Sequence, residues 1–220
     1  MGGNPDGPFG SRLLGPEGED AAALRLRVQS LTTAAIVTAQ LVGVAAVVSL
    51  IVWVLPRPAG TGDVLWINFV AVPTYVVGAV VVGVVWGTRS ALGRLGWVVD
   101  ERPPDPDERR DALRIPLALV RVQAVLWAGG VVVFTVLTLV TEPELALTVA
   151  LAVSFGGIVT CMAAYLLTEF VMRPVAARAL TGDRPEGTLV PGITARSLLA
   201  WALGSAVPVT GLVLVSILAL

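Results

Sequence analysis

The side chains most able to do chemistry lie in one acidic cluster between two long apolar blocks. Its members are Asp105, Asp107, Glu108 and Asp111. Neighbouring carboxylates are the ligands that hard divalent cations prefer. This cluster is nevertheless weak as a metal site, because no histidine can join it and prolines break the loop that carries it. We therefore assign no catalytic, cofactor-binding or metal-binding residue in this chain.

The residue types that are missing exclude several classes of enzyme. The chain has no histidine, and all 15 of its basic residues are arginine. A phospho-accepting histidine, a histidine-based catalytic triad, a phosphate-binding Walker lysine and a Schiff-base lysine are therefore excluded. Cys161 is the one cysteine, so it can form no intramolecular disulfide, and a single thiolate makes no metal site.

A few polar residues fall inside apolar blocks. Arg121 and Glu169 would both lie toward the same end of an antiparallel helix pair, and pairing would lower the cost of burying both charges in a membrane. Two alternatives are that Arg121 extends to the lipid headgroups and that the residues form a ligand or proton site. Gln40 and Gln123 could hydrogen-bond across helices.

Other residues have structural roles in the membrane helices. Glu169, Arg173, Pro174 and Arg178 mark the point where an apolar helix leaves the bilayer for water. Pro208 should kink the last apolar helix, because proline lacks the amide hydrogen that a helix needs. A GxxxG motif at 83–87 could support close helix packing, although such motifs arise easily by chance in a chain this rich in small residues.

Composition places these residues in a membrane protein. The chain is 55% hydrophobic and only 14% charged, with a mean hydropathy of +0.83. We predict an all-α, polytopic transmembrane bundle of antiparallel hairpins. A segment at 1–30 precedes a transmembrane domain at 31–220, and an odd number of spans suggests that a sixth is missing. The five predicted spans are 31–55, 64–86, 115–140, 145–172 and 198–220.

The arginine distribution predicts the orientation of the chain. The segment before the first span has three arginines, the loops after the second and fourth spans have six and four, and the short turns together have one. Arginine-rich segments face the cytoplasm, so we expect a multi-pass protein of the cell membrane with a cytoplasmic N-terminus. The lipid bilayer is its expected partner. Nucleic acid is not, because the arginines are dispersed and balanced by acids.

Local patterns predict the structure of the polar segments. We expect disorder at 1–10, an amphipathic helix at 21–28, and a continuation of the second helix through 89–99. Asp105 followed by Pro106 predicts a capped start to a short charged helix. The mixed charge of this loop is typical of a solvated surface, and contact with a cytoplasmic partner is the alternative.

Seven short motifs resemble one family when they are taken in order. They are RLLG at 12–15, VPTYV at 72–76, WGTR at 86–89, ERPPDPDE at 101–108, RVQAVLWA at 121–128, YLLTEF at 165–170 with RPVAA at 173–177, and LGSAVP at 203–208. Together they resemble the N-terminal membrane region of actinobacterial, mycobacterial-type class III adenylate cyclases. In that family six transmembrane helices lead into a cytoplasmic HAMP domain and then a cyclase domain.

The resemblance implies a membrane anchor and a sensor or regulator of ATP-to-cAMP conversion. The catalytic domain, with its ATP and its Mg²⁺ or Mn²⁺, would lie outside this chain, so no catalytic residue is carried over. A homodimer is implied, because class III active sites form between two catalytic domains, and a lipid or small-molecule ligand is possible. The alternatives are the sensor region of a histidine kinase or diguanylate cyclase, which also use HAMP domains, and a small transporter.

Overall fold

The computed structural model describes residues 21–54, 70–94, 96–100, 102–179 and 193–218, and these residues are helical with short connections and no strand. The fold is therefore an all-helical bundle, as predicted from the sequence. The disorder predicted at 1–10 and the predicted turn between the first two spans lie outside the described residues.

Four helices in the described part of the chain are long and apolar enough to cross a membrane. They are α1 (Ala21–Val54), α2 (Val72–Leu92), α5 (Ile115–Thr141) and α6 (Ala146–Val171). A stretch of 27 helical residues, as in α5, is about 40 Å long, which exceeds the ~30 Å hydrocarbon core of a bilayer. A 3₁₀ turn at Pro143–Leu145 joins α5 to α6.

Two of these helices extend beyond their predicted spans. α1 begins at Ala21, so the amphipathic helix predicted at 21–28 and the first span form one continuous helix. α2 continues past residue 86, as predicted, but it ends at Leu92, and Gly96–Val99 form a separate short helix instead of the predicted continuation through residue 99. Arg89 then lies in the last turn of α2, where a positive charge interacts favourably with the helix dipole.

The predicted fifth span is built from shorter pieces. Helix α8 (Ile193–Trp201), a π-helical segment (Ala202–Ala206) and helix α9 (Val207–Leu218) follow one another directly. The apolar part found here, Ser197–Val213, is shorter than the four long spans. Pro208 follows the π-helical segment closely, which fits its inability to donate the hydrogen bond of a regular α-helix.

Helix α6 is the centre of the bundle and packs extensively against both α1 and α5, whereas α2 makes less contact with α1 and α5. Small residues allow the close approach of α1 and α6. A Cβ atom built on Gly43 would lie 2.9 Å from the carbonyl oxygen of Gly156, so any side chain there would collide with the α6 backbone. Gly157 is similarly packed against Trp127 of α5.

The GxxxG motif of α2 packs within this chain. Gly83 and Gly87 are both buried. Cβ atoms at these positions would lie 3.2 Å from Leu126 Cδ1 and 2.9 Å from Leu119 Cδ2, both on α5. The same face of α2 approaches Ile36 of α1. The motif therefore forms the contact between α2 and its two neighbours in the bundle.

The two ends of the bundle are built differently. At one end, which we call the loop end, helices α3 (Gly96–Val99), α4 (Pro106–Leu113) and α7 (Arg173–Ala179) accompany the ends of the four spans. A buried apolar cluster closes this end; its members include Val28, Ala91, Trp97, Ala112, Ile115, Leu119, Met172 and Val175. The opposite end, which carries the turn at Pro143–Leu145, is called the turn end.

Candidate functional site

A buried polar network crosses the middle of the bundle. Gln40 of α1 donates from Nε2 to Oε1 of Gln123 on α5, at 3.1 Å. Trp127, one helical turn after Gln123, donates from its indole nitrogen to Oε1 of Gln40, at 2.9 Å. Gln40 and Gln123 are only 4% and 1% exposed, so water cannot replace these bonds. The prediction that the two glutamines bond across helices is confirmed.

The tryptophan fixes the orientation of both amides. An indole nitrogen can only donate, so the atom of Gln40 that faces it must be the carbonyl oxygen. The amide nitrogen of Gln40 therefore faces Gln123, which must answer with its own carbonyl oxygen. Nε2 of Gln123 is left buried with no hydrogen-bond partner. An amide nitrogen without a hydrogen-bond partner thus remains in the centre of the bundle.

A cavity of about 280 Å³ lies directly beside this network, between α1, α2, α5 and α6. Its walls are mostly valine, leucine and aromatic side chains. The lining residues are Gln40, Val44, Val47, Val48, Ile51, Val72, Tyr75, Val76, Ala79, Leu126, Trp127, Gly130, Phe134, Thr138, Val149 and Val153. The cavity extends from the polar network toward the turn end, because it follows the C-terminal half of α1 and the N-terminal half of α2.

Tyr75 connects α2 to the backbone of α5 at the wall of the cavity. Its hydroxyl group donates to the carbonyl oxygen of Leu126, at 2.6 Å. Its ring packs edge-on against Phe134, with the ring centroids 5.1 Å apart. Glycine at 130 makes room for the tyrosine, because a Cβ there would lie 3.2 Å from the ring. Tyr75 is thus held with its oxygen at the same depth as Trp127.

Sequence reasoning found only part of this site. Gln40 and Gln123 stand out as amides in apolar blocks, whereas Trp127 and Tyr75 have the amphipathic character of ordinary membrane residues. The adjacent positions of Gln123 and Trp127 on one helix face, four residues apart, were the available signal. The cavity itself depends on how α2 packs, which no local pattern reveals.

The ion pair predicted between Arg121 and Glu169 is not formed. The Arg121 side chain is exposed, and no ion pair or hydrogen bond among the described residues involves it. Its neighbours Val122 and Gln123 are buried and face the bundle, so Arg121 faces outward. Glu169 is partly buried, and its Oε2 atom is turned into the protein. A similar depth in the membrane was therefore not enough to predict the ion pair, because the Arg121 side chain points out of the bundle and the Glu169 side chain points into it.

The predicted exit from the fourth span lies at the loop end. α6 ends at Val171, and α7 begins directly with Arg173 and Pro174. The Arg173 guanidinium lies over the ring of Phe170, 4.9 Å from its centroid. The side chain of Arg178 lies outside the described residues. α7 packs against α4, so the exit of α6 is in contact with the loop between the second and third spans.

The acidic cluster caps a helix. Asp105 begins α4 and accepts hydrogen bonds from the backbone nitrogens of Asp107 and Glu108, at 2.9 and 2.8 Å. Glu108 accepts in return from the backbone nitrogen of Asp105, at 3.0 Å, which completes a capping box. The predicted capped helix is thus confirmed. No group of three histidine, cysteine or acidic side chains that could hold a metal occurs in the described residues.

An arginine holds the capping glutamate. Arg102 donates to both carboxylate oxygens of Glu108, at 2.7 and 2.5 Å. This hydrogen bonding lowers the pKa of Glu108 below its ordinary value, with a further contribution from the backbone nitrogen of Asp105. The same carboxylate raises the pKa of Arg102. These charges stabilise the fold of the loop.

The comparison with curated proteins finds relatives of mycobacterial origin. "Uncharacterized protein Rv1319c" of Mycobacterium tuberculosis is 33% identical over 212 residues, which cover 94% of this chain and 39% of that protein. "Uncharacterized protein Rv1320c" of the same species is 34% identical over 215 residues, or 97% of this chain and 38% of that protein. "Uncharacterized protein Mb1352c" of Mycobacterium bovis is 34% identical over 214 residues, or 96% and 40%.

The chain thus spans about two fifths of the length of the curated relatives it matches. No family model matches the chain, and no solved structure is significantly similar to it. The similarity to the mycobacterial relatives includes nearly all of the bundle described here, because it covers at least 94% of the chain.

Proposed function

We propose that this chain is the membrane anchor and the sensor or regulatory domain of a class III adenylate cyclase. The cyclase domain would convert ATP to cAMP and diphosphate outside this chain, with Mg²⁺ or Mn²⁺, and a HAMP domain would connect the two. The observation that carries the proposal is the length of the relatives. Since the chain matches only 39% of Rv1319c, about three fifths of that protein remains for other domains.

The seven sequence motifs, taken in order, support the assignment to this family of cyclases, and the bundle suits the role of a regulator. The exit helix α7 contacts α4 at the loop end, and it continues from α6, whose other end lines the cavity through Val149 and Val153. A shift of α6 at the cavity would therefore be passed to α7 along one nearly continuous helix. A homodimer follows from the proposal, because two catalytic domains are needed to form the active site.

The orientation proposed is a cell-membrane protein with the N-terminus and the loop end in the cytoplasm. Single cysteines placed at Gly60 and Asp107 in a Cys161→Ser background test this orientation. A membrane-impermeant thiol reagent added to intact cells should label Gly60→Cys and leave Asp107→Cys unlabelled until the cells are opened. Labelling of Asp107→Cys in intact cells would reverse the assignment.

The proposed enzyme class is tested by identifying the product that the full-length protein makes. The chain alone and the full reading frame that contains it are expressed in a bacterium that lacks its own adenylate cyclase. The chain alone, given ATP and Mn²⁺ after purification, should make no cAMP, whereas the full product should make cAMP above background. Cyclic di-GMP or a phosphorylated histidine in place of cAMP would identify a different receptor class.

A further inference from the structure

The cavity beside the polar network is large enough for a ligand. An engineered apolar cavity of ~150 Å³ stays dry and binds benzene, and a water molecule occupies ~30 Å³ in the liquid. The volume of about 280 Å³ therefore holds on the order of ten non-hydrogen atoms. An empty space of this size would also leave its walls without packing partners, which is costly in a bundle that is held together by van der Waals contact.

Most polar groups of the cavity lie at its deep end, whereas the Thr138 hydroxyl, nearer the turn end, donates to the carbonyl oxygen of Phe134. Gln40 uses one amide hydrogen for Gln123 and has a second that is free to donate. The hydroxyl oxygen of Tyr75 donates to Leu126 and can still accept. Behind Gln40, the buried Nε2 of Gln123 has no partner. The deep end thus offers a donor on Gln40 and an acceptor on Tyr75 to a small polar group.

The cavity offers nothing to a charged group. Of its lining residues only Tyr75 is ionisable, and no arginine, aspartate or glutamate is among them. A carboxylate or ammonium group buried there would have no counter-charge and would lose its hydration, which costs several kcal/mol or more. A hydroxyl or carbonyl group meets no such penalty, because its hydrogen bonds can be satisfied by Gln40 and Tyr75.

The rest of the cavity is suited to a hydrocarbon chain. Val44, Val47 and Ile51 line it along α1, and Val72 and Val76 line it along α2. Val48, on the same wall, is 51% exposed, so the apolar surface continues from the interior to the outside of the bundle. A chain longer than the cavity can extend along this wall toward the turn end and remain in contact with lipid.

We propose that this cavity binds one molecule of a neutral amphiphile. Its hydroxyl or carbonyl group lies at Gln40 and Tyr75, and its hydrocarbon chain follows the valine wall toward the turn end. The proposal concerns binding alone, so it does not depend on the function proposed for the chain.

Photolabelling in lipid nanodiscs tests the ligand class. The probe is a decanol that carries a diazirine on its chain, and the adducts are located by mass spectrometry. We expect saturable labelling of cavity-lining residues. Unlabelled decanol should compete at concentrations about tenfold lower than either decane or decyl sulfate, because decane lacks the hydrogen-bonding group and decyl sulfate carries an uncompensated charge.

Three variants locate the bound probe. Ala79→Phe fills the cavity from α2 and should abolish the saturable labelling, whereas Val82→Phe, at a position on the same helix that is 46% exposed, should retain it. Tyr75→Phe removes only the hydroxyl group and should weaken the competition by decanol several-fold. Tyr75→Phe makes the smallest change, so it keeps the test decisive if Ala79→Phe fails to fold.

Three results would overturn the proposal. Equal competition by decane would mean that the cavity accepts any acyl chain of the bilayer and selects no head group. Equal competition by decyl sulfate would remove the argument for a neutral ligand. Labelling that does not saturate, or that falls equally in Ala79→Phe and Val82→Phe, would place the probe on the lipid-facing surface.

Discussion

The same four helices pack closely at the loop end of the bundle and enclose a cavity toward the turn end. At the loop end the helices converge on a cluster that is almost fully buried, and Ile115 at its centre is 0% exposed. At the turn end a cavity of about 280 Å³ lies between α1, α2, α5 and α6. The network of Gln40, Gln123 and Trp127 lies between the two regions.

The difference shows how one bundle can be firm at one end and adjustable at the other. Glycines at 83 and 87 allow α2 to approach α5 near the loop end, whereas Tyr75 and Phe134 stand between the same two helices nearer the turn end. Bulky side chains on one half of a helix and small ones on the other tilt it away from its neighbours. A ligand in the opened half can then alter the packing without unfolding the closed half.

The largest expected effect on stability comes from comparing the same type of substitution, isoleucine to alanine, at one position in each region. Ile115→Ala removes a fully buried side chain and should lower the free energy of unfolding by about 3 kcal/mol, within the range for isoleucine-to-alanine changes in cores. Ile51 lines an existing cavity. Ile51→Ala should therefore lower the free energy of unfolding by less than about 1 kcal/mol, because few contacts are lost. Unfolding in lipid bicelles measures both values. Equal losses would mean that the two ends are packed alike.

A smaller effect is expected at the boundary between the two regions. Gln40→Leu leaves the indole nitrogen of Trp127 and the carbonyl of Gln123 unpaired and should cost about 1–2 kcal/mol. Membrane hydrogen bonds average only ~0.6 kcal/mol in double-mutant cycles. A cycle with Gln123→Leu should give a coupling of about that size or slightly larger.

The matched control for this boundary is Gln29→Leu, which alters an exposed glutamine on the same helix. It should leave the free energy of unfolding nearly unchanged. If Gln40→Leu were equally harmless, the network would not separate a firm region from an adjustable one, and the glutamines would be incidental.

Acid should loosen the loop end selectively. The pKa of Glu108 is lowered by Arg102, so its contribution to stability is complete above its ordinary pKa of 4.5 and is lost as the pH falls through the lower folded-state value. Amide hydrogen exchange in α4 should therefore accelerate, relative to the intrinsic rate, between pH 5 and about pH 3. In Glu108→Gln this protection should be weaker at pH 5 and nearly independent of pH.

Asp107→Asn is the control for the acid experiment, because the Asp107 carboxylate is 89% exposed in its pair with Arg110. It should keep the pH dependence of the wild-type chain. The same pH dependence in Glu108→Gln would show that another group controls the loop.

The sequence predicts the helical spans well and their packing poorly. Blocks at 115–140 and 145–172 agree closely with α5 and α6, because a short turn containing Pro143 separates two strongly apolar runs. The capped start at Asp105 was predicted for a local reason, since a capping residue and proline act within one turn. The continuation of the second helix past residue 86 was predicted, but its end at Leu92 was not, because Gly93 is no different in type from Gly83 and Gly87, which lie within the helix.

Depth in the membrane and residue type were not enough to predict the contacts between helices. Gln40 and Gln123 were predicted to bond as two amides in apolar helices, and they do. Arg121 and Glu169 were matched by the same kind of reasoning, and they do not pair. The two pairs differ in how each helix is rotated about its own axis. That rotation depends on packing between helices, as at Gly43, Gly156 and Gly157, and a local sequence pattern does not reveal it.

The smallest effect is expected for that failed pair. Arg121 lies about 9 Å along α5 from Ile115 and faces outward, so its long side chain can reach the lipid headgroups at the loop end. Glu169 is turned into the bundle on another helix. A double-mutant cycle with Arg121→Leu and Glu169→Leu should therefore be additive within about 0.3–0.5 kcal/mol, as for residues without shared partners. The glutamine cycle, measured in the same lipid, shows that a real coupling can be detected. A coupling near 1 kcal/mol between Arg121 and Glu169 would mean that the charges meet in the membrane, and that the loop end is less firmly closed than its packing indicates.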